Sequence, residues 1–126
     1  MKLTNKQIYE YAQALAENFS NRDQYLPILI NFSIQKNKSI LMPLAEEIET
    51  LRLGLAQTYG TYNEEDSMYT ILSEDMEKAQ KELDNLFEIE QEVNLWTMPL
   101  SKVVEFNPSL SSGQMEALIF MIDGDA

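Results

Sequence analysis

Leu26-Pro27-Ile28-Leu29-Ile30-Asn31-Phe32-Ser33-Ile34-Gln35 is the stretch on which the fold turns. Leu26, Ile28, Ile30, Phe32 and Ile34 alternate with Pro27, Leu29, Asn31, Ser33 and Gln35, the period-2 pattern of a strand with one buried face. Pro27 stands at its start, where a missing amide donor is tolerated. The polar run Gln35-Lys36-Asn37-Lys38-Ser39 ends the strand and turns into a helix. This is the most basic local run of the chain, and it lacks the glycines of a phosphate-binding loop.

Upstream of it, Ile8, Tyr11, Ala12, Leu15 and Phe19 share one face of a helix from about Thr4 to Phe19. Thr4 and Gln7 have capping-box spacing, and Asn21-Arg22-Asp23 signals a turn. Downstream, Leu41, Leu44, Ile48, Leu51, Leu55 and Tyr59 step by three or four along a second helix, from Ile40 or Met42 to Tyr59. Pro43 suits its first turn and Gly60 stops it. Gly54 inside that helix costs about 1 kcal/mol relative to Ala, which close packing against another element would explain.

Residues 61–68 read as an acidic loop and Met68 to Leu72 as a short strand. A third helix spans Ser73 to Glu90, with Ser73 as N-cap and Glu74 and Asp75 at its positive end. Its inner face is Met76, Ala79, Leu83, Leu86 and Phe87. Val93 to Met98 reads as a strand, Pro99 to Phe106 includes a helical turn, and Ser111 with Gln114 caps a last helix. That helix packs through Met115, Leu118, Ile119 and Ile122, with Leu110 and Met115 at staple spacing and Gly124 after its end. The expected class is α+β: a single domain, 1–126, with a small two- or three-stranded sheet and about four helices. The alternative is a mainly helical bundle with a β-hairpin.

The chain has 126 residues and neither cysteine nor histidine. Disulfides, thiolate nucleophiles and Cys-type zinc sites are excluded, as are imidazole bases and ligands. Carboxylate pairs, hard-cation sites and Ser, Thr or Lys nucleophiles are what remains. The net charge is −12. Residues 1–60 hold six basic and six acidic residues, whereas 61–126 hold three lysines against fifteen carboxylates. Phosphate-backbone and anionic-membrane binding need clustered Lys and Arg, so neither nucleic acid nor membrane is an expected partner. A protein with a basic surface fits better. Met1-Lys2-Leu3-Thr4 leads straight into an amphipathic pattern rather than a signal-type apolar run. A cytoplasmic location in a host cell, or a virion, is expected.

The candidate partner-binding residues are Glu64, Glu65, Asp66, Glu74, Asp75, Glu82 and Glu88. Glu64-Glu65-Asp66 is rich in hard-cation ligands but has no EF-hand glycine, and a solvated loop is the better reading, so no metal is assigned. Along the third helix, acidic residues form a negative rod able to occupy a basic groove; the bland reading is a soluble helix face. No carboxylate pair stands out as catalytic, and no catalytic residue or cofactor is assigned. Phe120 and Met121 flank the last apolar stripe, where exposure would make an oligomer contact.

Leu26-Pro27-Ile28 leading into Phe32 to Asn37, Leu44 to Arg52 with Tyr59-Gly60, Lys81 to Val93 and Met115 to Ile122 resemble small phage and prophage proteins of unknown function from Gram-positive hosts. The resemblance implies phage origin and an accessory role, and it carries no site residues. The acidic second half is no part of it. The expected function is therefore non-catalytic: binding that inhibits or redirects a host protein, such as a defence factor. The alternatives are a virion or tail-assembly component and a small-ligand sponge.

Overall fold

Thr4 accepts the amide of Gln7, whose side chain returns the bond to the Thr4 amide, and this reciprocal cap starts the first helix. The computed structural model describes residues 1–20, 24–105 and 110–123. Strand β1 (Lys2–Thr4) leads into α1 (Asn5–Asn18), and α2 runs from Ile28 to Tyr59. Strands β2 (Gly60–Asn63) and β3 (Met68–Ile71) form a hairpin, followed by α3 (Ser73–Glu88) and β4 (Glu90–Glu92). After β5 (Met98–Pro99) come α4 (Leu100–Glu105), α5 (Ser112–Leu118), a 3-10 turn (Ile119–Met121) and β6 (Ile122–Asp123).

The class is α+β, with five α-helices among the described residues. The β structure is divided into three two-stranded pairs rather than gathered in one sheet. β1 and β4 are antiparallel with Leu3 opposite Gln91; β2 and β3 are antiparallel with Tyr62 opposite Tyr69; β5 and β6 are parallel, with Met98 beside Ile122.

The strand expected over 26–35 is instead the start of α2, a 32-residue helix about 48 Å long. Ile30 and Ile34 lie four apart, a spacing that satisfies both periods, so alternation alone does not separate strand from helix. The buried stripe continues Ile30, Ile34, Asn37, Leu41, Ala45, Ile48. It passes through a polar residue, which a pattern of apolar positions reads as a break. A strand would bury Ile28 with Ile30; in the helix Ile28 is 81% exposed. The Lys36-Asn37-Lys38-Ser39 turn is consequently helix interior. Pro43 lies inside the helix rather than in its first turn. Its side chain is exposed, where water can serve the Ser39 carbonyl that loses its bond.

The other departures have local causes. The strand expected over 93–98 is irregular over 93–97, with β pairing only at Met98–Pro99; both backbone polar groups of Trp96 are taken by Asn37 instead of a neighbouring strand. Ser73 is the first helical residue of α3 and Leu72 the N-cap, without a side-chain bond. The expected loop over 61–68 is half strand, with Glu64–Ser67 as its turn. The β3 strand, the helical turn after Met98, the Gly60 stop and the Ser111–Gln114 capping box all stand as expected. Nothing lies within 4 Å of a Cβ built on Gly54, so close packing does not account for that glycine. The expected turn at 21–23 and Gly124 lie outside the described residues.

The core gathers Ile8 and Leu15 of α1, Ile30, Ile34, Leu41 and Ile48 of α2, and Met98, Val103, Leu118 and Met121 from the C-terminal third. Met121 is fully buried, and Phe120 is half-buried, stacked on Tyr11 with ring centroids 4.2 Å apart. Of the pair expected beside the last stripe, Met121 is thus taken into the core, while Phe120 stays half-buried. Four polar residues are buried, and three of them tie the elements together. Asn5 donates to the Leu86 carbonyl at 2.9 Å and accepts from Gln91 at 2.7 Å, and Gln114 donates to the Asn18 carbonyl at 2.8 Å. Asn37 binds the main chain of Trp96, and Ser33 is the fourth.

Candidate functional site

Between Ile48 and Ala79 no residue is buried. This segment, comprising the end of α2, the β2–β3 hairpin and the first turns of α3, projects as an arm from the packed core. The hairpin is a two-stranded ribbon, too thin to bury either of its own faces. Tyr62 and Tyr69 pair across it with ring centroids 5.2 Å apart. Leu51, Leu53, Tyr62, Met68, Tyr69, Leu72 and Met76 are each 38–63% exposed. Met76, expected on the inner face of α3, is therefore at the surface; of that face Ala79 is buried and Leu83, Leu86 and Phe87 are half-buried.

Five of the seven predicted carboxylates lie on this arm. Glu64, Glu65 and Asp66 form the hairpin turn, closed by Asn63 Oδ1 accepting the Glu65 amide at 3.0 Å and Asp66 Oδ1 accepting the Met68 amide at 3.1 Å. Ser67 takes a left-handed backbone conformation, φ 56°, to complete it. Glu74 and Asp75 sit in the first turn of α3, where the helix dipole favours negative charge. Glu82 lies further along the helix. Glu88, at the far end, borders a groove with Thr4 and Lys6 on the opposite side. The seven do not converge on one point: α3 alone spans about 24 Å.

Among the described residues the ion pairs are Met1 with Glu92, Arg52 with Glu49, and Lys102 with Glu105. None of the seven candidate carboxylates is neutralised in this way. No group of three or more acidic side chains among the described residues is placed to hold a metal ion. No helix among the described residues is long and apolar enough to cross a membrane.

Two features of the arm lay beyond the sequence reading. The Tyr59 phenol at the end of α2 faces Glu82 and Asp75; partial burial, then the Glu82 carboxylate, then Asp75, hold its pKa above the ordinary tyrosine value. The second is a shallow groove of about 340 Å³ between α2 and α3, lined by Leu51, Leu55, Leu86 and Ile89 with Glu82 and Asn85 at its edge. The helical stripes signal Leu51, Leu55, Leu86 and Tyr59 as apolar inner-face positions but not a groove between the helices, and Ile89 lies on neither stripe. At the base of the arm Glu49 takes a two-pronged ion pair from Arg52, at 2.5 and 2.9 Å, and a hydrogen bond from Tyr9 at 2.9 Å. This cluster lowers the Glu49 pKa, chiefly through the Arg52 bonds.

Chemically, the arm presents apolar contact area beside unneutralised negative charge. No family model, characterised protein or solved structure matches this chain.

Proposed function

We propose that this chain is a non-catalytic, acidic accessory protein of phage origin that acts by docking its arm onto a host protein with a basic surface, inhibiting or redirecting it. One observation carries the reading. Between Ile48 and Ala79 no residue is fully buried, yet seven large apolar side chains are exposed there on the same segment as carboxylates that have no ion-pair partner among the described residues. Exposed apolar area of this kind marks an interaction surface. Charge around it steers a partner of opposite sign and raises the association rate. Without histidine or cysteine, binding is the simpler use of such a surface.

The test is retention of host-lysate proteins by the immobilised chain at low and moderate salt, beside a variant with Glu64, Glu65 and Asp66 all changed to Lys. A basic-surfaced protein held by the wild type, released by salt and lost by the variant is expected. Retention of nothing specific, or of the same protein by both, overturns the reading.

A further inference from the structure

A second exposed apolar surface lies at the other end of α2, and its electrostatics are opposite. Tyr25 and Ile28 are 79% and 81% exposed; Leu29, Phe32 and Trp96 stand about half-exposed beside them. Phe32 and Trp96 meet edge to face with ring centroids 5.1 Å apart, and Lys36 lies over the Phe32 ring at 5.6 Å. The chain carries 21 carboxylates, yet the segments these side chains belong to, residues 24–45 and 93–104, contain none. Asp123, at the rim, accepts a hydrogen bond from Thr97.

We propose that this face is an interface between two copies of the chain. It goes beyond the docking arm and does not depend on it. Two molecules of net charge −12 repel wherever their carboxylates face each other, and the arm is the worst such place. The Tyr25–Trp96 face lets them meet through side chains none of which is acidic. Lys36 keeps its ammonium at the edge while its stem covers Phe32.

Complete burial of the exposed parts of these five residues on both copies would remove at most about 1,200 Å² from water, the lower end of a specific interface. A two-fold contact, in which each copy offers the same face, closes on itself and leaves both arms free.

Trp96, the single tryptophan, reports directly. Its emission should move to shorter wavelength as concentration rises, in step with a monomer-to-dimer shift by sedimentation. Ile28→Asp and Phe32→Asp change exposed positions, so the helix content should persist by circular dichroism, while dimer affinity falls ten-fold or more. The lysine triple variant at the hairpin turn should dimerise as the wild type does. The chain has no native cysteine, so Ile28→Cys should be cross-linked to a second copy by a short bismaleimide, and Glu64→Cys should not. A wild type monomeric at every concentration, or a dimer indifferent to Ile28→Asp and Phe32→Asp, overturns the inference. The arm's capture of a host protein could still succeed in either case.

Discussion

The Asn37 side chain holds the main chain of Trp96 at both of its polar groups: Nδ2 donates to the Trp96 carbonyl at 2.8 Å, and the Trp96 amide donates to Oδ1 at 2.8 Å. A side-chain amide thus takes the place of a neighbouring strand, 59 residues away in sequence. Asn37 is fully buried, and its Nδ2 also lies 3.3 Å from the Met121 sulfur. The C-terminal third is thereby tied to the middle of α2.

Asn37→Ala removes both bonds and leaves the Trp96 groups without partners, at an expected cost of about 2–4 kcal/mol. Asn37→Asp keeps the acceptor but loses the donor and introduces a buried charge, so it should be no milder. Urea unfolding followed by Trp96 fluorescence measures both; a loss below about 1 kcal/mol would show that the clamp contributes only a net surface-like hydrogen bond.

Gly54 and Gly60 should respond oppositely to alanine. Gly54 has open space around a new Cβ, so Gly54→Ala should stabilise by about 1 kcal/mol through helix propensity. At Gly60 the Cβ would sit 2.5 Å from the Ala56 carbonyl oxygen and 3.3 Å from the Tyr69 Cβ, so Gly60→Ala should destabilise by about 1–3 kcal/mol. Thermal melts of the two variants should move in opposite directions.

The Tyr9–Glu49–Arg52 cluster gives a pH signature. Glu49 has a folded pKa below the ordinary 4.5, so its contribution is present above 4.5 and is lost as pH falls through the lower folded value. Tyr9 has a pKa above 10.0, raised first by its hydrogen bond to Glu49 and then by burial. Its contribution is present below 10.0 and lost as pH rises through the folded value. The pair is partly exposed, 42% at Arg52 and 32% at Glu49, so Glu49→Gln should cost no more than about 1 kcal/mol at neutral pH. The difference between variant and wild type should close under acid; a gap unchanged at pH 3 would contradict the assignment.

Tyr59 should ionise above 10.0, and Glu82→Gln should bring its pKa down without restoring the ordinary value, because partial burial and the Asp75 charge remain. Site-resolved NMR titration of the ring is the measurement. An unmoved Tyr59 in the variant would remove Glu82 from its surroundings.

Local chemistry was legible where the signal was local. Thr4–Gln7 and Ser111–Gln114 set two helix starts, Gly60 a helix stop, and Met68–Ile71 a strand. The carboxylates of the candidate arm and their excess over lysine were equally plain, since charge is a property of the chain. Three things required the tertiary structure. Residues 28–35 are helix because the stripe through Asn37 is buried against Trp96, a partner no window around Ile34 contains. Met76 is outside and Met121 inside because exposure depends on what packs opposite a stripe, not on the stripe's spacing. The aromatic face without acidic side chains exists because folding brings Phe32 beside Trp96. Sequence fixes periodicity, caps and charge, which act over a few residues; burial is settled between elements far apart in the chain, and only the packed fold decides it.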